Sequence, residues 1–263
     1  MIVEDKTLFV CDLDGVLVQS DGTIRMEDLE QIKGFVRNGG LFVICTGRLD
    51  QDIQYVEKQI GVKGDYRISQ NGAVIKDKTG EVVYHKTIQK EDAAVLNEIL
   101  SKFSVRTEVN TIENRYFPSP RDPEEVAEFV DTSIVKENLF DFAETSIEPT
   151  IYLNFGEAES FEEIRKEIQE TVGDRIQVVQ TSPSSLEVFS NEASKGSAVQ
   201  FIAQLLRLQK DQIIAAGDAE SDITMFPYVG RSFAVGEKSD DLVKQAADHV
   251  ANTIEELFIQ YMT

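Results

Sequence analysis

Cysteine, histidine and basic side chains are scarce in this sequence, and each scarcity argues against a class of function. The two cysteines, Cys11 and Cys45, lie in apolar segments, which predicts small core residues in place of a disulfide or a metal site. The two histidines, His85 and His249, are isolated in the sequence, so we expect each to be structural or on the surface. Neither residue type points to the chemistry of this protein.

Positive charge is the second scarcity. The chain has 26 lysine and arginine residues against 47 aspartate and glutamate residues, which gives a formal net charge of -21. So acidic a chain repels nucleic acid and anionic membranes, which we therefore exclude as expected partners. An anionic small molecule needs a local positive site that offsets this charge.

Long hydrophobic runs are missing as well. No apolar segment approaches the length of a membrane span, and the opening MIVEDKTLFV leads into a strand without the regions of a signal peptide. We therefore expect cytoplasmic residence, and a monomer or weak homodimer. With 41% hydrophobic residues in 263, the chain can bury a full core in one large domain or two modest ones.

The most informative stretch that is present is TLFVCDLDGVL, residues 7–17. Its apolar run predicts a strand buried on both faces, and Asp12 and Asp14 follow where that strand ends. In an open α/β sheet the carboxyl ends of the strands bind ligands, so these acids are placed for chemistry, and Gly15 permits a sharp turn behind them. An ordinary turn remains an alternative, but a calcium loop is disfavoured because Val16 and Leu17 offer no oxygen ligands.

Two further strands end on polar residues. Residues 41–45 precede Thr46, Gly47 and Arg48 at the start of a helix, and this combination suits an oxyanion, although Thr46 could equally cap the helix. Residues 66–69 precede Gln70-Asn71-Gly72, which could also be only a turn. A predicted helix at 27–36 separates the first two strands, and a hairpin follows at 73–85.

The pattern changes in the middle of the chain and then returns. From residue 86 to 186, predicted strands come in pairs with helices between them, which indicates a separate α+β region. A helix then opens at Ser194 with Lys195 in its first turn, where an anion would compensate the opposed helix dipole. The strand at 213–216 ends in GDAESD, which contains Asp218, Ser221 and Asp222.

These residues carry a resemblance to a known family. DLDGVL, TGR, SKG and GDAESD, in this order, resemble the four motifs of the haloacid dehalogenase superfamily, and the insertion together with SQNGA is similar to its Cof-type phosphatase branch. The resemblance covers the whole chain. It implies an α/β fold with a Rossmann-like parallel-sheet core at 1–85 and 187–263 and an inserted α+β cap, a substrate-specificity lid, at 86–186.

The resemblance implies a phosphoric monoester hydrolase that acts on small phosphorylated metabolites, such as sugar phosphates or phosphorylated cofactors. Asp12 would be the nucleophile that forms an aspartyl phosphate, and Asp14 the general acid and then base. Mg²⁺ would be held by the Asp12 carboxylate, the Asp14 backbone carbonyl and Asp218, while Asp222 supports its water molecules. Ser221 replaces the usual asparagine of the fourth motif and is a further candidate near the metal.

The phosphoryl oxygens would be bound by Thr46, Gly47 and Lys195, which together provide the local positive site that the acidic chain requires. Arg48 and Asn71 are candidate substrate-binding residues. In the cap, three residues are candidates for substrate selection because they belong to a predicted polar loop: Glu113, Arg115 and Tyr116.

Two alternatives share these motifs. A phosphomannomutase-like phosphomutase would return the phosphoryl group to a sugar, and a non-catalytic member would bind a phosphorylated metabolite without hydrolysing it. A receiver-type phosphoacceptor would not need the cap. A dinucleotide dehydrogenase is disfavoured because no Gly-x-Gly-x-x-Gly follows the first strand.

Overall fold

The computed structural model describes residues 6–121, 129, 130 and 132–262. The chain divides into two compact units, a first unit of Met1–Tyr84 with Ser194–Thr263 and a second unit of His85–Ala193. Within the described ranges, no helix has both the length and the apolar composition needed to cross a bilayer.

The sheet of the first unit is mainly parallel. Among the described residues its strand order is β14-β13-β12-β1-β2-β3-β4-β5. Strand β1 pairs in parallel with β2 and β12, whereas β3 and β4 pair antiparallel across a turn. The strands are β1 (Leu8–Cys11), β2 (Leu41–Cys45), β3 (Tyr66–Ser69), β4 (Val74–Asp77), β5 (Val82–His85), β12 (Ile213–Gly217), β13 (Arg231–Val235) and β14 (His249–Ala251). The predicted parallel-sheet core is confirmed.

Strand β1 is apolar throughout because both faces of the sheet are covered. Successive side chains point to opposite faces, so Leu8 and Val10 share one apolar cluster with Val199 of α6 (Lys195–Leu206). Phe9 lies on the other face, where its ring centroid is 5.1 Å from that of Phe258 in α9 (Ile254–Met262). The remaining helices of this unit are α1 (Met26–Arg37), α2 (Asp50–Ile60), α7 (Glu220–Ile223) and α8 (Asp241–Ala246).

The second unit has a sheet of its own with the order β10-β11-β9-β6-β7-β8 among the described residues. Its strands are β6 (Arg106–Asn110), β7 (Arg115–Phe117), β8 (Ser133–Val135), β9 (Ile151–Phe155), β10 (Ile176–Ser182) and β11 (Ser185–Ser190). Most pairings are antiparallel, and β7 with β8 is parallel. This sheet and its helices form the α+β region that the strand pattern predicts.

Three helices cover one face of this second sheet. They are α3 (Lys90–Leu100), α4 (Leu139–Thr145) and α5 (Ala158–Thr171). Their apolar residues, such as Leu96 and Phe161, share one buried cluster with Val109, Tyr116 and Tyr152 of the strands. The unit therefore has its own hydrophobic core.

The polar loop predicted around residues 113–116 differs from the structure. Thr111 and Asn114 close a turn in which the Thr111 amide donates to the Asn114 carbonyl at 2.8 Å, and strand β7 begins directly after it at Arg115. Arg115 and Tyr116 therefore lie on a strand and not in a polar loop, and the Tyr116 side chain packs in the core at 5.1 Å from the Phe142 ring. The prediction that Tyr116 faces a substrate from a loop is wrong.

Candidate active site

Three carboxylates and one lysine meet at the carboxyl edge of the first unit's sheet. One carboxylate oxygen from each of Asp12, Asp218 and Asp222 lies within 4.8 Å of the others. The Lys195 ammonium donates to Asp12 Oδ1 and to Asp222 Oδ1, each at 2.7 Å. The Lys195, Asp12 and Asp222 side chains are only 4%, 6% and 0% exposed, so these ion pairs are shielded from water.

The backbone holds each of these side chains in place. The Asp12 amide continues the pairing of β1 with β12 by donating to the Ala216 carbonyl at 2.9 Å. Beyond β12, Asp222 Oδ2 accepts from the Asp218 and Ala219 amides at 3.0 Å, which closes the loop before α7. These contacts fix Asp12 and Asp218 side by side at the strand ends.

Lys195 is placed by the start of α6. Ser194 caps this helix: its hydroxyl accepts from the Ser197 amide at 2.9 Å, and the Ser197 hydroxyl accepts from the Ser194 amide at 3.0 Å. Gly72, with φ of +91°, approaches so closely that a Cβ there would lie 2.0 Å from the Ser194 carbonyl oxygen. Gly72 thus allows a tight backbone contact that sets the position of Lys195. The sequence predicts only a turn at Gly72, not this contact.

Gly15 has a comparable role at the acidic end of the site. Its φ is +82°, and a Cβ on it would lie 2.0 Å from Asp218 Oδ2. The Asp218 carboxylate therefore occupies space that only a glycine leaves open. The sequence predicts the turn at Gly15 but not this contact, because Asp218 is remote along the chain.

Burial and mutual repulsion shift the pKa values of the side chains in this cluster. Burial, and then the charge of Asp222, raise the pKa of Asp12 well above its usual range despite the opposing effect of Lys195. The same two causes raise the pKa of Asp218 to about 7. Burial lowers the pKa of Lys195, but Asp12 and Asp222 outweigh it and the net shift is upward. Lys195 therefore stays charged, and it does not fully neutralise the carboxylates.

The cluster fits a small divalent cation. Its donors are carboxylate oxygens, which Mg²⁺ prefers, and one oxygen from each of the three aspartates lies within 4.8 Å of the others. A dication among these oxygens would offset the repulsion between Asp12, Asp218 and Asp222. Both Asp222 oxygens already accept hydrogen bonds from the protein, so Asp12 and Asp218 are the side chains best placed to hold the ion.

Arg48 holds the Asp14 side chain through two hydrogen bonds. The guanidinium donates through Nε to Asp14 Oδ2 at 2.7 Å and through Nη2 to Asp14 Oδ1 at 2.9 Å. Asp52, four residues further along the chain in the first turn of α2, lies 4.0 Å from Arg48 Nη1. The Asp14 side chain is 50% exposed, which leaves it accessible to a ligand. The sequence missed the contribution of Asp52, although its i,i+4 spacing from Arg48 was a usable signal.

Thr46, Gly47 and Asn71 lie together at the ends of β2 and β3. The Asn71 amide donates to the Thr46 carbonyl at 3.0 Å, and a Cβ on Gly47 would lie 3.1 Å from Asn71 Oδ1. Thr46 does not cap α2, whose N-cap is Leu49; its hydroxyl instead accepts from the Arg48 amide at 3.2 Å. Asn71 is buried and has a left-handed backbone conformation, with φ of 54°, in the turn formed by SQNGA.

Ser221 contacts its neighbours through its backbone carbonyl. Its carbonyl accepts from the Thr224 hydroxyl at 2.7 Å, and that hydroxyl in turn accepts from the Gly196 amide at 3.0 Å. Ser221 thus links the loop before α7 to the start of α6 through Thr224, which the sequence did not single out.

Several known proteins align with this chain, in sequence or in fold, over nearly their whole lengths. The family model of haloacid dehalogenase-like hydrolases matches residues 9–258. The phosphatase YwpJ of Bacillus subtilis is 26% identical over 97% of this chain and 98% of its own. The phosphatase YcsE of the same organism, named for 5-amino-6-(5-phospho-D-ribitylamino)uracil, is 23% identical over 95% of this chain and 91% of its own. A haloacid dehalogenase-like hydrolase from B. subtilis is 26% identical, with a TM-score of 0.82 over 97% and 98% of the two chains.

The chain belongs to the family of haloacid dehalogenase-like hydrolases. The predicted family and the predicted α/β fold with an inserted region are confirmed. The expectation of a phosphoric monoester hydrolase is confirmed at the level of the family, whose curated relatives are named phosphatases.

Proposed function

We propose that this protein is a Mg²⁺-dependent phosphatase that hydrolyses small phosphate monoesters through an aspartyl phosphate on Asp12. The observation that carries the proposal is the buried group of Asp12, Asp218, Asp222 and Lys195, in which charged side chains converge on one strand end. Such a group has a high cost in an apolar core, so a role in chemistry accounts for it better than a role in stability.

In the proposed first step, an Asp12 oxygen attacks the phosphorus of the ester. The new bond from this oxygen to phosphorus forms as the bond to the leaving oxygen breaks, and Asp14 gives that oxygen a proton. In the second step Asp14 takes a proton from water, whose oxygen attacks the phosphorus and displaces Asp12. The products are an alcohol and inorganic phosphate, and both aspartates return to their starting state.

Mg²⁺ would be held by Asp12, the Asp14 carbonyl and Asp218, with Asp222 supporting its water molecules and Ser221 nearby. When bound, this ion offsets the negative charge of the phosphoryl group and the carboxylates. Lys195, already bridging Asp12 and Asp222, would also contact the phosphoryl oxygens.

Thr46 and Gly47 would bind the phosphoryl group as well, and Asn71 would contact the substrate. Arg48 supports the role of Asp14, since its two hydrogen bonds orient that carboxyl group. The first unit would be the catalytic core, and residues 86–186 the lid that selects the substrate. Cytoplasmic residence and a monomer or weak homodimer stay predictions.

For the substrate we propose a phosphorylated sugar, polyol or cofactor. The curated relative named for 5-amino-6-(5-phospho-D-ribitylamino)uracil supports this class, because that compound carries its phosphate on a hydroxylated chain. A screen of such esters for released phosphate is the experiment that narrows the choice.

The proposal is tested by product analysis with and without metal. We expect inorganic phosphate to be released, thorough chelation to abolish release, and added Mg²⁺ to restore it. An isomeric sugar phosphate in place of inorganic phosphate would identify a phosphomutase. Binding of a phosphate ester without turnover would identify a non-catalytic member, and full activity after chelation would contradict the metal site.

A further inference from the structure

One threonine hydroxyl joins the two chain segments that carry Lys195 and Asp222. Thr224 lies directly after α7, and its Oγ1 donates to the Ser221 carbonyl at 2.7 Å. The same oxygen accepts from the Gly196 amide, in the first turn of α6, at 3.0 Å. A hydroxyl has one hydrogen and a backbone amide can only donate, so these two bonds fix the direction of the hydroxyl. Thr224 thus connects two backbones that are remote in sequence.

The two positions that Thr224 joins are the chain neighbours of a buried ion pair. Gly196 follows Lys195, and Ser221 precedes Asp222. The Lys195 ammonium donates to Asp222 Oδ1 at 2.7 Å. The start of α6 and the loop before α7 are therefore linked twice, once by charged side chains and once through a hydroxyl between backbone groups. A shift of one segment against the other would disturb both links.

Close packing supports the same junction. A Cβ on Gly196 would lie 1.9 Å from the Thr224 carbonyl oxygen, just as a Cβ on Gly72 would lie 2.0 Å from the Ser194 carbonyl oxygen. The residues before and after Lys195 are thus each packed against a remote segment. The amides in the first turn of a helix have no partner within that helix, so the Thr224 hydroxyl gives the Gly196 amide its partner from outside.

We propose that Thr224 is a positioning residue that acts through Lys195. Its hydroxyl would hold the start of α6 so that the Lys195 ammonium stays between Asp12 and Asp222, where the phosphoryl oxygens would bind. The inference rests on the proposed function, which assigns Lys195 to the phosphoryl group.

Exposure of Thr224 separates its effect on turnover from its effect on stability. The residue is exposed, so water can replace the hydrogen bonds of its hydroxyl with the Gly196 amide and the Ser221 carbonyl. A water molecule is not attached to the chain, however, and holds the two segments less rigidly. We therefore expect the loss of the hydroxyl to change the free energy of unfolding little and to change turnover more.

Three substitutions isolate this hydroxyl. Thr224→Val keeps the shape of the side chain and removes both hydrogen bonds, whereas Thr224→Ser keeps the hydroxyl. The matched control is Thr253→Val, because Thr253 Oγ1 also accepts from a backbone amide in the first turn of a helix at 3.0 Å, that of Glu256 in α9. Helix α9 packs on the face of the sheet opposite α6. Urea unfolding of each variant shows that it is folded.

The readout is kcat and KM for p-nitrophenyl phosphate in saturating Mg²⁺. Thr224→Val should lower kcat about tenfold and raise KM no more than about threefold, because a misplaced cation costs most in the transition state. Thr224→Ser and Thr253→Val should keep both constants within about twofold. In a Lys195→Met background, Thr224→Val should lower kcat/KM by less than about twofold, since the residue through which it acts is gone.

Folded Thr224→Val with the kcat of the unmodified protein would overturn the proposal. So would a loss that Thr224→Ser does not restore, a loss that Thr253→Val shares, or a tenfold effect that persists with Lys195→Met. The comparison of the valine and serine variants decides even where Lys195→Met does not fold.

The proposed function is judged separately, by phosphate release from the unmodified protein. Release that Thr224→Val leaves unchanged would overturn the positioning role and keep the phosphatase. If the unmodified protein releases none, calorimetric binding of inorganic phosphate with Mg²⁺ decides the role of Thr224. An affinity that falls about threefold in Thr224→Val alone supports the role, whereas equal affinity in all the proteins, or no binding by any, overturns it.

Discussion

Gly15 shows how a single residue without a side chain shapes the candidate site. Gly15→Ala would place a methyl group on the Asp218 carboxylate, at 2.0 Å from Oδ2, so that carboxylate must move. We expect the concentration of Mg²⁺ needed for half-maximal activity to rise about tenfold or more, as it does when the support of a metal ligand is lost. The measurement is a Mg²⁺ titration of phosphate release.

Gly22 provides the matched control for Gly15. Its φ of +80° is nearly that of Gly15, but a Cβ on it would meet nothing within 4 Å among the described residues. Gly22→Ala should therefore lower the free energy of unfolding by about 1–2 kcal/mol without changing the Mg²⁺ dependence. Equal Mg²⁺ dependence of both variants would show that Gly15 matters only for its backbone conformation.

Arg48 offers a second test at the scale of the residue, because a positioning role and a substrate-binding role predict different kinetics. If Arg48 orients Asp14, Arg48→Lys should lower kcat for an alkyl phosphate about tenfold to a hundredfold, since one ammonium cannot reproduce two directed hydrogen bonds. The effect on p-nitrophenyl phosphate should be smaller, because its leaving group needs no proton. A higher KM for both esters with unchanged kcat would instead make Arg48 a substrate-binding residue.

How far the sequence predicts the site depends on where each residue lies relative to a strand end. Asp12, Thr46 and Asp218 could be placed because each follows a short apolar run, and parallel strands end at one edge. The contacts of Gly15 with Asp218 and of Gly72 with Ser194 could not, because they join segments that are remote in sequence and leave no local pattern.

At the scale of the element, a buried ion-pair network joins α2 to the sheet. Arg67 of β3 donates through Nε to Asp50 Oδ1 at 2.6 Å and lies 3.6 Å from Glu57, and Lys76 of β4 lies 3.4 Å from Asp50. Burial raises the pKa of Glu57, which shows that this carboxylate is poorly solvated. The network orients α2, which begins two residues after Arg48.

Arg67→Ala should lower the free energy of unfolding by about 3–5 kcal/mol, because it leaves Asp50 and Glu57 buried without their main cation. The control is Lys33→Ala on α1, where the 3.6 Å pair with Glu30 is partly exposed, at 30% and 57% of the two side chains, and should contribute less than about 1 kcal/mol. Urea unfolding of both variants measures the difference. A loss of similar size in the two would mean that the buried network is not important for stability.

The elements themselves differ in how clearly the sequence signals them. Helices α1 and α2 follow the spacing of their apolar residues, and the strands of the first sheet are nearly continuous apolar runs. Strand β8 and helix α4 escaped prediction because both are short, three and seven residues, and β8 carries the exposed Ile134 and Val135.

At the scale of the whole molecule, a chain with a net charge of -21 is proposed to act on anions. Lys195 is the cation that the structure places inside the acidic cluster, and Mg²⁺ would supply the rest of the positive charge. The sequence predicts both units, since the change from alternating to paired strands marks the insertion. It does not predict which buried polar atoms lack a hydrogen-bond partner among the described residues, such as Glu108 Oε2, because alternation along β6 shows only which residues share a side.

The central claim, that Asp12 is the nucleophile of a phosphatase, is tested most directly by phosphate release from Asp12→Asn in saturating Mg²⁺. The amide keeps the shape of the carboxyl group but is a far weaker nucleophile, so release should fall at least about a thousandfold while the protein stays folded by circular dichroism. Asp241→Asn, a control at a side chain that is 90% exposed, should keep full activity. Release by folded Asp12→Asn at a rate near that of the unmodified protein would contradict the account.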